Sequence, residues 1–239
     1  IWNDTGWFRG VDGKWRFEID DARLNFPKYD TTQRVLSGRL SDVASADSIA
    51  SAYPEMGATN TSVRLGDPGS SGSGIYNPGG WFERPSVASD TYMPWQAESV
   101  LGHEIQHGIS DLEGFAVGGN PTQEGVRALF SGKGFKAGED RYHRLAGETE
   151  ARTVQKRMDL TPDERASRPP WLDYDVPEDQ QIVRFGGGNN ALFSNDSRAS
   201  LPGAVVQFPS RRTPDGYRAP TTRDVEHPLM DAMKGGLET

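Results

Sequence analysis

Five consecutive residues, His103-Glu104-Ile105-Gln106-His107, set two imidazoles four positions apart with a carboxylate beside the first. On an α-helix such residues stand one turn above each other on one face, so both rings reach a single ion. Neutral imidazole suits Zn2+, and a zinc site that performs chemistry keeps one position open for water. Glu104, next to that water, takes its proton and delivers it to a leaving amine. The chemistry implied is hydrolysis of a peptide bond, with Zn2+ as cofactor and a protein or peptide as substrate.

A third protein ligand is required, and three glutamates compete. Glu148 and Glu150 lie in Leu145-Ala146-Gly147-Glu148-Thr149-Glu150-Ala151-Arg152, on a second predicted helix. Glu148 stands three residues before Ala151, the Glu-x-x-Ala arrangement of several zinc peptidases that draw a ligand from a later helix. Whichever of the two is not a ligand is expected to accept an imidazole N–H or to pair with Arg152. Glu113 follows His107 by six positions, but the turn needed to bring it back falls on Ser110 rather than on a glycine. A surface carboxylate at a helix end is the simpler expectation for it. Tyr142 and His143 precede Glu148 closely and are candidate donors to the oxyanion of the transition state. Taken singly, a packing tyrosine and an exposed histidine are the simpler expectation for each. His227 is assigned no role.

The elements that must hold these groups follow from pattern. Pro94 opens a helix that runs to about Glu113 and stops at Gly114. Ala97, Leu101, Ile105, Ile109 and Leu112 recur at helical spacing and form its apolar face. At 100° per residue the two histidines point nearly opposite to that face, toward a cleft. A second helix is predicted over about Arg144–Met158, with Ala151, Val154 and Met158 inward, and a helical turn over 163–166. Residues 6–20 read as a β-hairpin, with Val11-Asp12-Gly13-Lys14 as its turn. Residues 21–45 read as loop with short elements, and Ser48–Ala52 as a short helix. Strands are predicted at Thr59–Leu65, Gly74–Tyr76 and Trp81–Arg84, forming a small antiparallel sheet, with another at Gln181–Phe185. Gly74–Tyr76 is where an edge strand could pair with extended substrate. Gly114–Asn120 forms either a cleft wall or a plain helix exit. The expected fold class is therefore α+β: residues 1–195 form one domain and 196–239, rich in Gly, Ser, Pro and Arg, an irregular or disordered tail.

Composition narrows the partners. The 239 residues carry a formal charge of −8, which argues against nucleic acid. No cysteine is present, so thiolate chemistry and Cys-based zinc sites are excluded. No apolar run reaches spanning length, and Ile1–Gly6 lacks the pattern of a signal peptide. The expectation is no membrane partner, no secretion by a signal of its own, and a segment excised or processed from a longer polypeptide.

Gly6-Trp7-Phe8-Arg9, Asp12-Gly13-Lys14-Trp15-Arg16-Phe17-Glu18-Ile19, Ala52-Tyr53-Pro54, His103–His107, Glu113-Gly114-Phe115-Ala116, Gly118-Gly119-Asn120 and Leu145–Arg152, in that order, resemble the zincin-like metallopeptidase segments of large multidomain phage and prophage polypeptides. The likeness covers about residues 1–185. It implies a zinc-binding zincin fold, a phage or prophage source, and a place in a phage virion or the host cytoplasm. It also implies His103 and His107 as ligands, Glu104 as base, and Glu148 or Glu150 as third ligand. It leaves the substrate open among the parent polypeptide, a host protein and a competitor's protein. The alternative function is a catalytically idle zinc-binding segment that serves particle assembly or delivery. The intact Glu104 argues against that, because an idle site has no use for a base. Spacing alone also permits a zinc hydrolase that is not a peptidase.

Overall fold

The computed structural model describes residues 2–19, 21, 24–26, 34–66, 72–79 and 83–186. The tail expected from residue 196, and His227 within it, lie outside the described residues. The chain opens with α1 (Trp2–Thr5) and a two-stranded hairpin, β1 (Trp7–Arg9) and β2 (Trp15–Phe17). Strand β3 (Val35–Arg39) leads through three short helices, α2 (Leu40–Val43), α3 (Asp47–Ala52) and α4 (Pro54–Gly57), to β4 (Asn60–Leu65). Then come β5 (Ser73–Asn77), β6 (Ser86–Thr91) and the long helix α5 (Pro94–Glu113). Helices α6 (Pro121–Phe130), α7 (Phe135–His143), α8 (Ala146–Arg157) and α9 (Pro162–Ser167) complete an α+β fold.

The main sheet has the order β3-β4-β6-β5. It is mixed rather than antiparallel as expected, because β6 pairs parallel with β4 and antiparallel with β5. The β5–β6 hairpin therefore folds back so that its second strand docks on β4, leaving β5 at the edge. One face alternates inward through Thr61, Val63, Leu65, Val87, Ser89 and Thr91 and carries α5. Polar Ser89 and Thr91 occupy two of β6's three buried positions, which hides its alternation from a hydrophobicity pattern. The strand expected at Trp81–Arg84 does not form at Glu83 and Arg84, and Trp81 and Phe82 are outside the described residues.

Ala97, Leu101, Ile105 and Ile109 on α5 join Leu36, Leu40, Ile49 and Met56 in one core. The helix ends where Gly114 takes a left-handed conformation, φ 65°, open to a residue without a Cβ. The helix expected over 144–158 forms as α8, Ala146–Arg157, preceded by the separate helix α7, which ends at His143. The strand expected at Gln181–Phe185 reduces to two single bridges, Leu145 with Ile182 and Ala116 with Phe185.

In the N-terminal hairpin the inward residues are Phe8 and Arg16, while Phe17 stays half exposed. Burial of Arg16 is possible because its charge is met on every side, as described below. A second buried ion network anchors the segment leaving β2. Arg157 grips Glu18 through two bonds of 2.8 Å and also reaches Asp173. Arg165 bonds Glu18 at 2.9 Å and reaches Asp21. No helix among the described residues is long and apolar enough to cross a membrane.

Candidate metal centre

Helix α5 starts with Pro94 in its first turn, where the missing N–H is no loss. The Gln96 side chain accepts the Met93 N–H at 3.1 Å. With one side buried in the core, the other presents His103 and His107 with ring centroids 4.8 Å apart and planes at 80°. Helix α8 lies across α5 and brings in Glu148, almost fully buried. His103 Nε2 is 3.4 Å from Glu148 Oε2, and His107 Nε2 is 3.4 Å from Glu148 Oε1.

Those separations fit a shared ion better than direct bonds. Ligands about 2.0–2.1 Å from a tetrahedral zinc stand roughly 3.3 Å from each other. Each of the three residues offers one atom within 4.8 Å of the other two. Glu148 Oε2 is buried and has no hydrogen-bond partner, a costly state that a cation would relieve. Two imidazoles and one carboxylate are a donor set that a divalent transition-metal ion can use.

Neighbouring groups fix how the ligands point. His103 Nδ1 lies 3.0 Å from Gln155 Oε1, and Gln155 Nε2 donates to Ser99 Oγ at 3.1 Å. The amide oxygen can only accept, so Nδ1 carries the proton and Nε2 turns its lone pair to the cluster. The Gly119 N–H donates to Glu148 Oε1 at 2.8 Å, and the Tyr142 hydroxyl also bonds this carboxylate. Burial would raise the pKa of Glu148, but His103, His107 and these donors overbalance it and bring it down to about 2. Burial brings His107 down to about 4, so it is neutral at neutral pH, as a ligand must be. Burial raises Glu104 to about 7, against the pull of His103. Such a carboxyl can both accept and return a proton near neutrality. A methyl group at Gly118 would overlap both Glu148 Oε1 and the His107 ring. The loop between α5 and α6 thus touches the ligands directly.

That loop is held from behind by the N-terminal hairpin. Lys14 Nζ donates to the carbonyls of Glu113 and Gly114 at the end of α5. Asp12 Oδ2 accepts the Ala116 N–H at 2.8 Å. Arg16 binds Asp12 through both Nη atoms at 2.7 and 2.8 Å, and its Nε is 2.7 Å from Glu150 Oε1. Its guanidinium lies 4.1 Å from the centre of the Phe115 ring. From the other side, the Val117 N–H donates to the Arg184 carbonyl at 2.7 Å, and the Arg184 side chain bonds the Gly118 carbonyl.

The structure brings together His103, His107 and Glu148, with Glu104 and Tyr142 beside them. Glu150 faces away, toward Arg16. Glu113 sits in the last turn of α5, on the wall of a cavity under the hairpin. His143 is exposed and faces Asp175 at 3.5 Å. Sequence reasoning missed Gln155, although it follows Glu148 by two helical turns on the same face. It also missed the Asp12–Arg16 pair, for which the only signal was a charged residue between Trp15 and Phe17.

A family model described as large polyvalent protein associated domain 23 matches residues 1–27. No curated protein and no solved structure matches the chain. The matched segment is the hairpin that supplies Asp12, Lys14 and Arg16, and the remainder of the chain is read from its own geometry.

Proposed function

We propose that the chain is a zinc-dependent metallopeptidase with a zincin-like site, whose ligands are His103, His107 and Glu148 and whose general base is Glu104. The observation that carries this reading is the convergence of two histidine nitrogens and a buried, unsatisfied carboxylate oxygen next to a carboxyl raised to about 7. Zinc, when bound, supplies a Lewis acid and an acidified water. Glu104 would hold a proton taken from the attacking water and give it to the departing amine. The Tyr142 hydroxyl donates to Glu148 and would have to turn from that carboxylate to reach a developing oxyanion.

The edge strand β5 supports an extended peptide as substrate. A Cβ at Gly74 would stand 2.6 Å from Glu104 Oε1, so this strand passes directly over the base. The backbone N–H of Tyr76 donates to Glu104, which ties the two together. A peptide added to the edge of β5 would lie across Glu104 and the three ligands. The parent polypeptide is one such substrate.

Elemental analysis and cleavage by Glu104→Gln test the reading. The expected result is one zinc per chain in both proteins and fragment release by the native chain alone. Absence of zinc, or equal cleavage by Glu104→Gln, would sink it. His143 faces Asp175 and not the ligands, an arrangement that favours the second reading, an idle zinc-binding segment. That reading requires zinc without cleavage of any protein, the parent chain included.

A further inference from the structure

Helix α6 is built inside out. Its buried positions hold Glu124, Gly125 and Ala128. Its solvent side carries Val126, Leu129 and Phe130, which are 40%, 60% and 88% exposed. These three fall at i, i+3 and i+4 and form one continuous stripe. Phe135, at the start of α7, lays one side of its ring on Gly125 of α6 and leaves the rest at the surface, 46% exposed. Glu124 can be buried because Arg184 and Arg141 bond its two oxygens at 2.6 and 3.1 Å. The inversion is therefore paired for on the inside, and the apolar outside is left without such an account. Among the described residues, α6 packs chiefly on α7.

Charge distinguishes this end of the hairpin from the rest of the chain. From Arg127 to Lys136 the sequence has three cations and no acid, in a chain whose net charge is −8. Lys133 and Lys136 are exposed beside the two phenylalanines. Apolar side chains that project as knobs, flanked by lysines, match the boundary between lipid headgroups and acyl chains. Side chains at i, i+3 and i+4 would also anchor a helix in a protein groove, and it is the flanking cations that favour an anionic lipid surface.

We propose that the tip of the α6–α7 hairpin, Val126, Leu129, Phe130 and Phe135 with Lys133 and Lys136, docks on an anionic lipid surface. Surface docking needs no spanning helix and is compatible with the absence of a spanning run in the sequence. The negative remainder of the chain is repelled by the same surface, so the molecule approaches tip first. The base of the hairpin is the candidate metal centre: Gly119 precedes α6, Tyr142 lies in the last turn of α7, and both bond Glu148.

The test is flotation of the full chain with vesicles of phosphatidylcholine alone and with vesicles containing phosphatidylglycerol. The native chain is expected to float with the anionic vesicles only, and less so at high salt. The double substitution Leu129→Ser with Phe130→Ser should lower the bound fraction at least tenfold, and Lys133→Gln with Lys136→Gln at least fivefold. Both variants alter exposed residues and should keep the native melting temperature and zinc content. The zinc readout separates failure here from failure of the peptidase reading. Three outcomes would overturn the proposal: no flotation, flotation unchanged by Leu129→Ser with Phe130→Ser, or a concentration-dependent dimer or acidic protein complex that this variant abolishes in place of vesicle binding.

Discussion

Gln155 carries no charge and touches no ion, yet it decides which nitrogen of His103 faces the cluster. Gln155→Ala should weaken zinc binding about 10- to 100-fold, the usual effect of removing a group that orients a ligand. Competition with a chromogenic chelator measures it, and Gln155→Glu, which keeps an acceptor at that place, should recover most of the affinity. Gly118→Ala addresses the opposite contact. The added methyl would displace Glu148 and His107, so zinc affinity should fall while the helical circular dichroism stays native. The ligand pattern was legible at this scale because His103 and His107 repeat at the period of a helix. The preference for Glu148 over Glu150 had only a Glu-x-x-Ala likeness behind it. Two positions along a helix turn a side chain by about 200°, so one of this pair reaches α5 and the other reaches Arg16. Choosing between them needed the direction in which α8 crosses α5, which is a tertiary fact.

Arg16 joins the β1–β2 hairpin to α8 through buried carboxylates on both. Arg16→Met would strand Asp12 and Glu150 without their cation and should cost about 3–5 kcal/mol, read from urea unfolding. Glu150 gives a pH signature. Burial raises its pKa to about 7, against the pull of Arg16. A carboxyl raised in the folded state adds stability that is complete below its unfolded pKa and is lost as pH rises through the folded one. Between about pH 4.5 and 7 the native protein should therefore lose stability relative to Glu150→Gln, whose amide does not ionise. Melting curves of the two proteins across that range check the sign. Long elements such as α5 were legible because twenty residues repeat one apolar face. Helices α6 and α7 were not, because α6 buries Glu124 and exposes Phe130, the reverse of the pattern sought. Strand β3 was missed because four of its five residues are exposed.

Across the whole molecule, the ligands come from two helices that the α6–α7 hairpin separates in sequence and that the sheet, the N-terminal hairpin and the 182–185 segment press together. An ion bound only by the folded chain stabilises it by mass action. At free zinc a thousand times the dissociation constant the gain is about 4 kcal/mol. Chelation should therefore lower the melting temperature by several degrees, on the order of 8 °C or more for a chain of this size. His103→Ala should show no such response. The α+β class followed from alternating and helical stretches of text, but the parallel β4–β6 pairing did not, since strand order is set by how a hairpin folds back.

The grip of Arg157 on Glu18 joins residues 139 positions apart. A chain emerging from the ribosome releases its first hairpin long before α8 exists to receive it. The two can meet only after the residues between them, α5 with both histidines included, have been made. A chain halted short of α8 would hold two imidazoles and no carboxylate to complete the donor set of a cation.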